Sequence, residues 1–380
     1  MQIKINNISH IFNKNTPWEF QALNNVSLEI NQGEYIGVIG STGSGKTTLI
    51  EHLNNLLEPT SGYIDWTFVD EKALDNKRAL SKIENTKRKA LKKLGKQLDK
   101  ALNKALKIYK SNYKKEHNQK LTKSDWLLLK EKFSQDYLKN SPIIHKIYQL
   151  KSYQEGEANF TTGKTAWKSF ISKKKFKRIR SKVGVAFQFA EYQLFKGTIQ
   201  EDIAFGPIAF GMNKEQAYEK ARECLLQVGM PEEYLERSPF ELSGGQKRRV
   251  ALAGILAMEP DYLVVDEPTA GLDPKGVVEI LDILSDLNKQ GKTIINVSHD
   301  LDNILERANR VLLLKEGQLI ADDTPYAVLN NVKLLRDNNL QPPQLLDFVD
   351  ELREIGIDVP EVHSLEELAE FLNTRKESNE

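Results

Sequence analysis

The chain has 380 residues, 40% of them hydrophobic, which is enough for two or three domains with a sizeable core. Its single cysteine, Cys224, excludes an internal disulfide framework, and no apolar run approaches the roughly 18 residues of a membrane span. The net charge of +1 hides an asymmetry, because residues 66–180 carry 31 Lys or Arg against 11 Asp or Glu. These numbers predict a basic segment inserted into an acidic globular host.

The first 39 residues alternate apolar and polar side chains in the manner of β-strands. The apolar run Tyr35–Ile39 ends this stretch and predicts a buried strand that leads into a glycine-rich loop. Phe12 lies upstream of that loop, where an aromatic ring can stack on an adenine base. A core phenylalanine on a strand is the alternative interpretation.

The glycine-rich loop lies between this strand and a helical pattern. Glycines let successive backbone N–H groups curl around phosphate oxygens, and a helix N-terminus adds the positive end of its dipole. Lys46 would reach the β- and γ-phosphates of a nucleoside triphosphate, and Thr47 offers a hydroxyl to Mg²⁺. An ordinary glycine-rich turn is the alternative. The candidate phosphate-binding residues are Gly40, Ser41, Thr42, Gly43, Ser44, Gly45, Lys46, Thr47 and Thr48.

The basic segment follows a turn and the short predicted strand Tyr63–Trp66. Apolar residues recur three and four apart between residues 71 and 110, which predicts a helix with a short coiled-coil-like seam. A second predicted helix, from Lys123 to Leu138, would pack back against it as a hairpin, and the residues around Gly156 and Gly163 read as loop. The seam consists of Leu91, Leu94, Leu98, Ala101, Ala105 and Ile108.

The globular pattern resumes with the apolar run Gly184–Phe189, which predicts a strand. The stretch Leu242–Gln246 then places two glycines at the start of a helix, where anions bind. Two further apolar runs predict buried parallel strands, one ending in Asp266 and Glu267 and the other in His299. Because ligands bind outside the carboxyl ends of parallel strands, we expect these three side chains at one site.

The tail from about Asp322 reads as two or three short helices. Ser364 is followed three residues later by Glu367, which is the pattern of a capping box ahead of Leu368 and Phe371. The sequence therefore predicts a small appended domain.

Six short motifs occur in an order that resembles the nucleotide-binding subunit of an ABC transporter. The resemblance covers the chain apart from the basic segment, and a chance coincidence of all six motifs is negligible. The motifs are the phosphate loop Gly40–Thr47, the glutamine loop at Gln188, the signature Leu242–Gln246, the acidic strand end Asp266–Glu267, the D-loop Ala270–Asp273 and the switch His299.

Finer features are similar to the energy-coupling factor branch of this family, whose ATPases drive vitamin and transition-metal uptake. Phe187–Phe195 is close to the glutamine-loop sequence of the second, A-prime type of subunit, and Gly356–Pro360 ahead of Ser364 is similar to its tail. The chain departs from that pattern at Ala190, where proline is usual, and at Phe12, where tyrosine is common. The resemblance does not explain the basic insertion.

The resemblance implies an α/β fold: a P-loop ATPase core of ABC type with an antiparallel β subdomain and an α-helical signature subdomain. An inserted basic helical hairpin and a small C-terminal helical domain complete the expected architecture. We therefore expect the ATPase domain at residues 1–66 and 174–321, the insertion at 67–173 and the C-terminal domain at 322–380.

The resemblance also implies roles in ATP hydrolysis. Glu267 would be the general base, His299 would position the attacking water at the γ-phosphate, and Gln188 would act with them. Thr47, Gln188 and Asp266 would hold Mg²⁺, which prefers oxygen ligands. In the family, the signature contacts ATP that is bound to the other subunit of a head-to-tail dimer. The further ATP contacts implied are Phe12, Ser243, Gly244, Gly245 and Asp273.

The implied partners are a paralogous energy-coupling factor ATPase in a heterodimer, a transmembrane coupling subunit and a substrate-binding membrane subunit. The chain would then be peripheral to a bacterial cell membrane, on its cytoplasmic side. For the insertion, a solvated hairpin, contact with anionic lipid, and binding of a protein or nucleic acid all stay open. One alternative for the whole chain is a soluble ABC-type ATPase acting on nucleic acid or ribosomes, although each motif occurs only once. A module that binds ATP without hydrolysis would be expected to lack Glu267 or His299.

Overall fold

A computed structural model describes residues 2–69, 92–111, 130–131, 133–134, 157–162, 179–362 and 364–377. Contacts within the chain divide it into two compact units. One unit is Trp66–Thr161, and the other combines Gln2–Asp65 with Thr162–Glu380. The domain boundaries expected from the sequence stay predictions.

Two β-sheets form the framework of the described chain. The strands are β1 (Gln2–Phe12), β2 (Phe20–Asn31), β3 (Tyr35–Ile39), β4 (Ser61–Val69), β5 (Glu157–Thr162), β6 (Val183–Ala186), β7 (Tyr262–Asp266), β8 (Thr293–Val297), β9 (Arg310–Lys315) and β10 (Gln318–Asp323). One sheet has the strand order β2-β1-β4-β5, with β1 and β2 antiparallel. The other has the order β10-β9-β3-β8-β7-β6 and is parallel except for the edge strand β10.

Ten helices are labelled within the described part of the unit that combines Gln2–Asp65 with Thr162–Glu380. They are α1 (Lys46–Leu53), α2 (Ile199–Phe210), α3 (Lys214–Gln227), α4 (Gly244–Leu256), α5 (Pro274–Lys289), α6 (Leu301–Arg307), α7 (Pro325–Leu329), α8 (Val332–Asp337), α9 (Gln344–Glu354) and α10 (Leu365–Glu377). The side chains of Ser243, Asp273 and Asp300 accept a backbone N–H at the starts of α4, α5 and α6. These caps satisfy donors that the first turn of a helix leaves without a partner.

The central parallel strands are mostly apolar on both faces, as is usual where helices cover both sides of a parallel sheet. Every residue of β3, β7 and β8 is buried. One apolar cluster joins Tyr35, Leu263 and Ile294 of these strands to residues of α2, α3, α4 and α5. Since the three strands are parallel neighbours, their carboxyl ends lie at one edge of the sheet.

The tail packs on the sheet through a second apolar cluster. Its members include Ile39 of β3, Val311 of β9, and Val328, Leu346 and Leu368 of the tail. The prediction of two or three short helices is wrong, because the structure describes four, α7 to α10. Thr324 and Asn331 cap the starts of α7 and α8, so each of these polar residues begins a separate short helix that the apolar pattern did not distinguish. The N–H of Glu367 donates to Ser364 Oγ at 3.1 Å, which agrees with the predicted cap of α10.

Strand β6 is shorter than predicted. It ends at Ala186, whereas the apolar run suggested a strand as far as Phe189. The backbone of Phe189 is left-handed, with φ of 60°, and the 3₁₀ turn Ala190–Gln193 follows it directly. An apolar run alone does not show where the backbone leaves the sheet.

The described part of the unit Trp66–Thr161, which lies within the basic segment, contains a helix over 92–111. Leu94 and Leu106 are buried, but Ile108 is 53% exposed, so the prediction that Ile108 belongs to the seam is wrong. The rings of Tyr109 and Phe133 stack with centroids 4.4 Å apart, so the helical residues 133–134 pack against this helix. The first half of the predicted helix and most of the second lie outside the described residues.

The loop predicted around Gly156 and Gly163 is also wrong in part, because residues 157–162 form β5. This segment pairs with β4. Phe160, Thr161 and Thr162 have the aromatic and β-branched side chains that favour strands. The flanking glycines, Gly156 and Gly163, predicted a loop, but pairing with β4 makes the residues between them a strand.

Candidate nucleotide-binding and hydrolysis site

The glycine-rich loop runs from the end of β3 to the start of α1, as the sequence predicted. Lys46 is only 8% exposed, and its Nζ donates to the carbonyl oxygens of Gly40 at 2.6 Å and Ser41 at 3.1 Å. Burial lowers the pKa of Lys46, while the carboxylates of Glu267 and Asp266 raise it. The ammonium group is therefore held at the loop, close to two acids.

The glycine-rich loop has an open side and one buried hydroxyl without a partner among the described residues. Gly43 is exposed with φ of 81°, and no described atom would lie within 4 Å of a Cβ there, so the loop is open on this side. The buried Ser44 Oγ has no hydrogen-bond partner among the described residues. Thr42 is exposed, while Ser41 and Thr48 are half-buried. These observations fit a triphosphate group, which would supply acceptors for the loop donors.

The oxygen groups proposed for Mg²⁺ come from different elements. Thr47 Oγ1 at the start of α1 donates to Asp266 Oδ2 at the end of β7, at 3.4 Å. Burial raises the pKa of Asp266, and the Thr47 hydroxyl, Lys46 and His299 lower it. Gln188 is exposed and lies in the turn after β6, the strand beside β7. The described residues contain no group of three or more His, Cys, Asp or Glu that could hold a metal ion.

Glu267 and His299 meet although they are 32 positions apart in sequence. His299 Nε2 lies 3.3 Å from Glu267 Oε1, and the two side chains are 51% and 14% exposed. Burial raises the pKa of Glu267 to about 6, the backbone N–H of His299 lowers it, and Asp266 raises it further. Burial lowers the pKa of His299. A carboxylate whose pKa is raised by burial and that lies beside an imidazole has the character of a general base.

The signature and D-loop candidates lie at the N-terminal ends of α4 and α5. Ser243 caps α4 in a complete capping box with Gln246, and Gly244 is exposed beside it, with Gly245 next in the helix. Asp273 caps α5 by accepting the N–H of Gly276 at 2.7 Å. Among the described residues, no hydrogen bond joins these groups to the phosphate loop. Ser243, Gly244 and Asp273 are exposed, and Gly245 is half-buried.

Phe12 ends β1 and is half-buried opposite Phe20 of β2. Its ring meets the ring of His10 edge-on, with centroids 4.4 Å apart. The Phe12 side chain therefore contacts a neighbouring aromatic side chain of its own strand. The assignment of Phe12 to base stacking stays a prediction.

The chain is similar to known proteins over its whole length. A family model described as ABC transporter matches residues 23–143 and 139–270. A curated relative from Mycoplasmopsis synoviae (strain 53), named energy-coupling factor transporter ATP-binding protein EcfA2, is 47% identical over 100% of this chain and 97% of its own. A protein of the same name from Mycoplasmopsis pulmonis (strain UAB CTIP) is 42% identical over 100% of both chains. The chain belongs to the energy-coupling factor ATP-binding proteins of the ABC transporter family.

Solved structures share the fold of this energy-coupling factor ATP-binding protein. CbiO1 from Clostridium perfringens, part of the ABC transporter complex cbiONQ, is 25% identical with a TM-score of 0.54, covering 92% of this chain and 98% of that chain. A bacterial ABC transporter cassette solved as a dimer is 22% identical with a TM-score of 0.53, covering 85% and 98%. The predicted family, the α/β ABC-type P-loop fold and the ATPase class are confirmed. No helix in the described ranges is long and apolar enough to cross a membrane.

Sequence reasoning did not single out Arg248 of this ABC ATPase. Its buried guanidinium contacts Glu191 Oε1 at 3.1 Å and donates to the carbonyl oxygens of Pro268 at 3.1 Å and Ala270 at 2.6 Å. Arg248 therefore joins the signature helix α4 to the turn after Gln188 and to the D-loop. A signal was available, because three consecutive basic residues on a helix, 247–249, point in different directions and one of them must face the protein.

Proposed function

We propose that this chain is the ATP-hydrolysing subunit of an energy-coupling factor importer that drives uptake of a vitamin or a transition-metal micronutrient. The observation that carries the proposal is the meeting of Lys46, the Thr47–Asp266 contact and the Glu267–His299 contact at one sheet edge. The names of the relatives and the place of CbiO1 in a transporter complex support the transport role.

Each part of the site has a distinct task in hydrolysis. Lys46 and the loop N–H groups bind the phosphates of ATP, and Thr47, Gln188 and Asp266 hold Mg²⁺. When bound, Mg²⁺ supplies positive charge against the charge that develops during phosphoryl transfer. Glu267 accepts the proton of the attacking water, because its raised pKa keeps it a competent base near neutral pH. His299 orients the carboxylate and the water.

The exposed positions of Ser243, Gly244 and Asp273 support the proposal of a dimer. Ser243, Gly244, Gly245 and Asp273 would contact ATP held by the phosphate loop of a paralogous ATPase, so two nucleotides lie in the joint of a head-to-tail heterodimer. ATP binding closes this dimer and hydrolysis reopens it. The region around Gln188 passes the movement to a transmembrane coupling subunit, which works with a substrate-binding membrane subunit. The chain is then peripheral on the cytoplasmic side of the membrane.

For the basic insertion, we propose contact with anionic lipid headgroups at that surface. Residues 66–180 carry 31 basic against 11 acidic side chains, and clusters of lysine are attracted to the negative cytoplasmic leaflet. The same charge favours a second candidate, a soluble ABC-type ATPase that binds nucleic acid through the insertion. Single copies of each motif argue against this alternative, because soluble translation types usually carry two cassettes in one chain.

Co-purification from native membranes tests the proposed function. The full chain is isolated with its bound partners, and the partners are identified by mass spectrometry. We expect a second ATPase and integral membrane proteins, together with ATP hydrolysis that the assembly accelerates. Recovery with ribosomes or nucleic acid, and without membrane proteins, would overturn the transport assignment in favour of the soluble alternative.

A further inference from the structure

The turn between β9 and β10 contacts both the phosphate loop and the antiparallel sheet. The backbone N–H of Gly317 donates to the carbonyl oxygen of Ser44 at 2.9 Å. The carbonyl oxygen of Gly317 accepts from the N–H of Asn24, in β2, at 2.8 Å. One turn residue therefore joins the loop to β2 through its own two backbone groups.

The three segments meet at a distance that only glycine allows. A Cβ atom on Gly317 would lie 2.7 Å from the carbonyl oxygen of Ala22, and a Cβ atom on Gly45 would lie 2.6 Å from the same oxygen. Both glycines also have left-handed backbones, with φ of 76° and 103°. The obstacle is backbone within a strand, which cannot move aside as a flexible side chain would.

The same hairpin supports the other end of the loop. A Cβ atom on Gly40 would lie 2.3 Å from the carbonyl oxygen of Leu314 in β9. The β9–β10 hairpin thus lies behind Gly40, where the loop begins, and behind Ser44 and Gly45, where it enters α1. The loop is fixed at two points by an element that carries none of the six sequence motifs.

We infer that the β9–β10 turn is a positioning element of the phosphate site, with Gly317 as its positioning residue. The inference rests on the proposed binding of ATP at the loop. Gly317 holds the carbonyl group of Ser44 and thereby keeps the following N–H groups in the curl that receives phosphate oxygens. A loop held in this form before binding loses less conformational entropy when the ligand arrives.

The test compares Gly317→Ala with Gly291→Ala in the full chain. Gly291 also has a left-handed backbone, with φ of 90°, and its N–H donates to Asn288 within a turn at 2.8 Å. No described atom would lie within 4 Å of a Cβ on Gly291. Both alanines therefore carry the strain of the backbone, and only Gly317→Ala also displaces the turn from β2 and the loop.

Calorimetry then measures the affinity of each variant for Mg²⁺–ATP and for inorganic triphosphate, with thermal melting to verify folding. We expect Gly317→Ala to weaken both ligands by a similar factor of about tenfold or more, and Gly291→Ala to stay within about twofold of wild type. Unchanged binding by Gly317→Ala, or equal weakening by both variants, would overturn the inference. Failure of the wild type to bind either ligand would remove the proposed function instead.

If Gly317→Ala does not fold, amide hydrogen exchange of the wild type tests whether the β9–β10 turn is coupled to the phosphate site. Triphosphate should slow exchange of the Gly317 N–H severalfold, because its acceptor belongs to the loop that the ligand orders. The Gly291 N–H, bound to Asn288 instead, should be unaffected. The same response at both amides would show that the turn is not coupled to the phosphate site.

Discussion

Acid should destabilise this ATPase through one buried imidazole. His52 lies on α1 and is 0% exposed, and its Nδ1 lies 2.6 Å from the carbonyl oxygen of Thr48. A carbonyl can only accept, so Nδ1 carries the proton and Nε2 accepts from His10 Nδ1 at 3.1 Å. A second proton on His52 would place two donors face to face. Burial is the main reason that the pKa of His52 falls from 6.5 to about 4.

The sign of the effect follows from proton binding. Between pH 6.5 and pH 4 the unfolded chain protonates His52 and the folded chain does not, so the stability from this group is fully present above pH 6.5 and is lost as the pH falls. The two pKa values predict that the free energy of unfolding is about 2 kcal/mol smaller at pH 5 than at pH 7 from His52 alone. The loss approaches about 3 kcal/mol below pH 4.

The assay is urea unfolding of the wild type and His52→Leu at pH 7 and pH 5, followed by circular dichroism. The loss of stability between the two pH values should be about 2 kcal/mol smaller in the variant, and any constant cost of the substitution cancels in this difference. His299→Leu is the control, because half of the His299 side chain is exposed and its removal should change the pH dependence far less. The same loss in wild type and His52→Leu would refute the reasoning.

Three further predictions concern hydrolysis and the insertion. Glu267→Gln should keep ATP binding, lower the turnover of ATP hydrolysis by roughly 10² to 10⁴ and trap the closed dimer. Hydrolysis by the wild type should fall below about pH 6, because Glu267 becomes protonated there. An unaltered rate of hydrolysis by Glu267→Gln in the assembled complex would contradict the role of Glu267 as the base. Ser243→Arg should spare nucleotide binding by the isolated chain and abolish hydrolysis at the composite site, and lost affinity in the monomer would count against the trans arrangement. Replacing about 70–173 with a Gly/Ser linker should leave a folded chain that still binds ATP but no longer shows salt-sensitive binding to anionic vesicles. Equal vesicle binding by the shortened and full-length chains would refute the lipid role. An unfolded product would refute the interpretation of this segment as an insertion.

The motifs of the active site could be read from the sequence because each depends on local order. The strand before Gly40–Thr47 and the helix after it follow from short-range patterns, as do the acids at the end of β7 and the Ser364 cap. Such patterns were also enough to predict the family and its ATPase class. The predicted roles of Phe12, Gln188 and the signature stay predictions, since no ligand contact tests them.

The tertiary structure decided which of these residues meet. Glu267 reaches His299 because β7 and β8 are parallel neighbours, and Thr47 reaches Asp266 because α1 starts near the end of β7. Two sequence predictions were wrong because they depended on tertiary contacts. Residues 157–162 form a strand because they pair with β4. Ile108 is exposed although it has the apolar spacing of the seam, because spacing alone does not determine which side chains are covered. Strand order, register and close backbone approach join segments that are distant in sequence. A local pattern carries no information about those partners, so only the folded chain defines them.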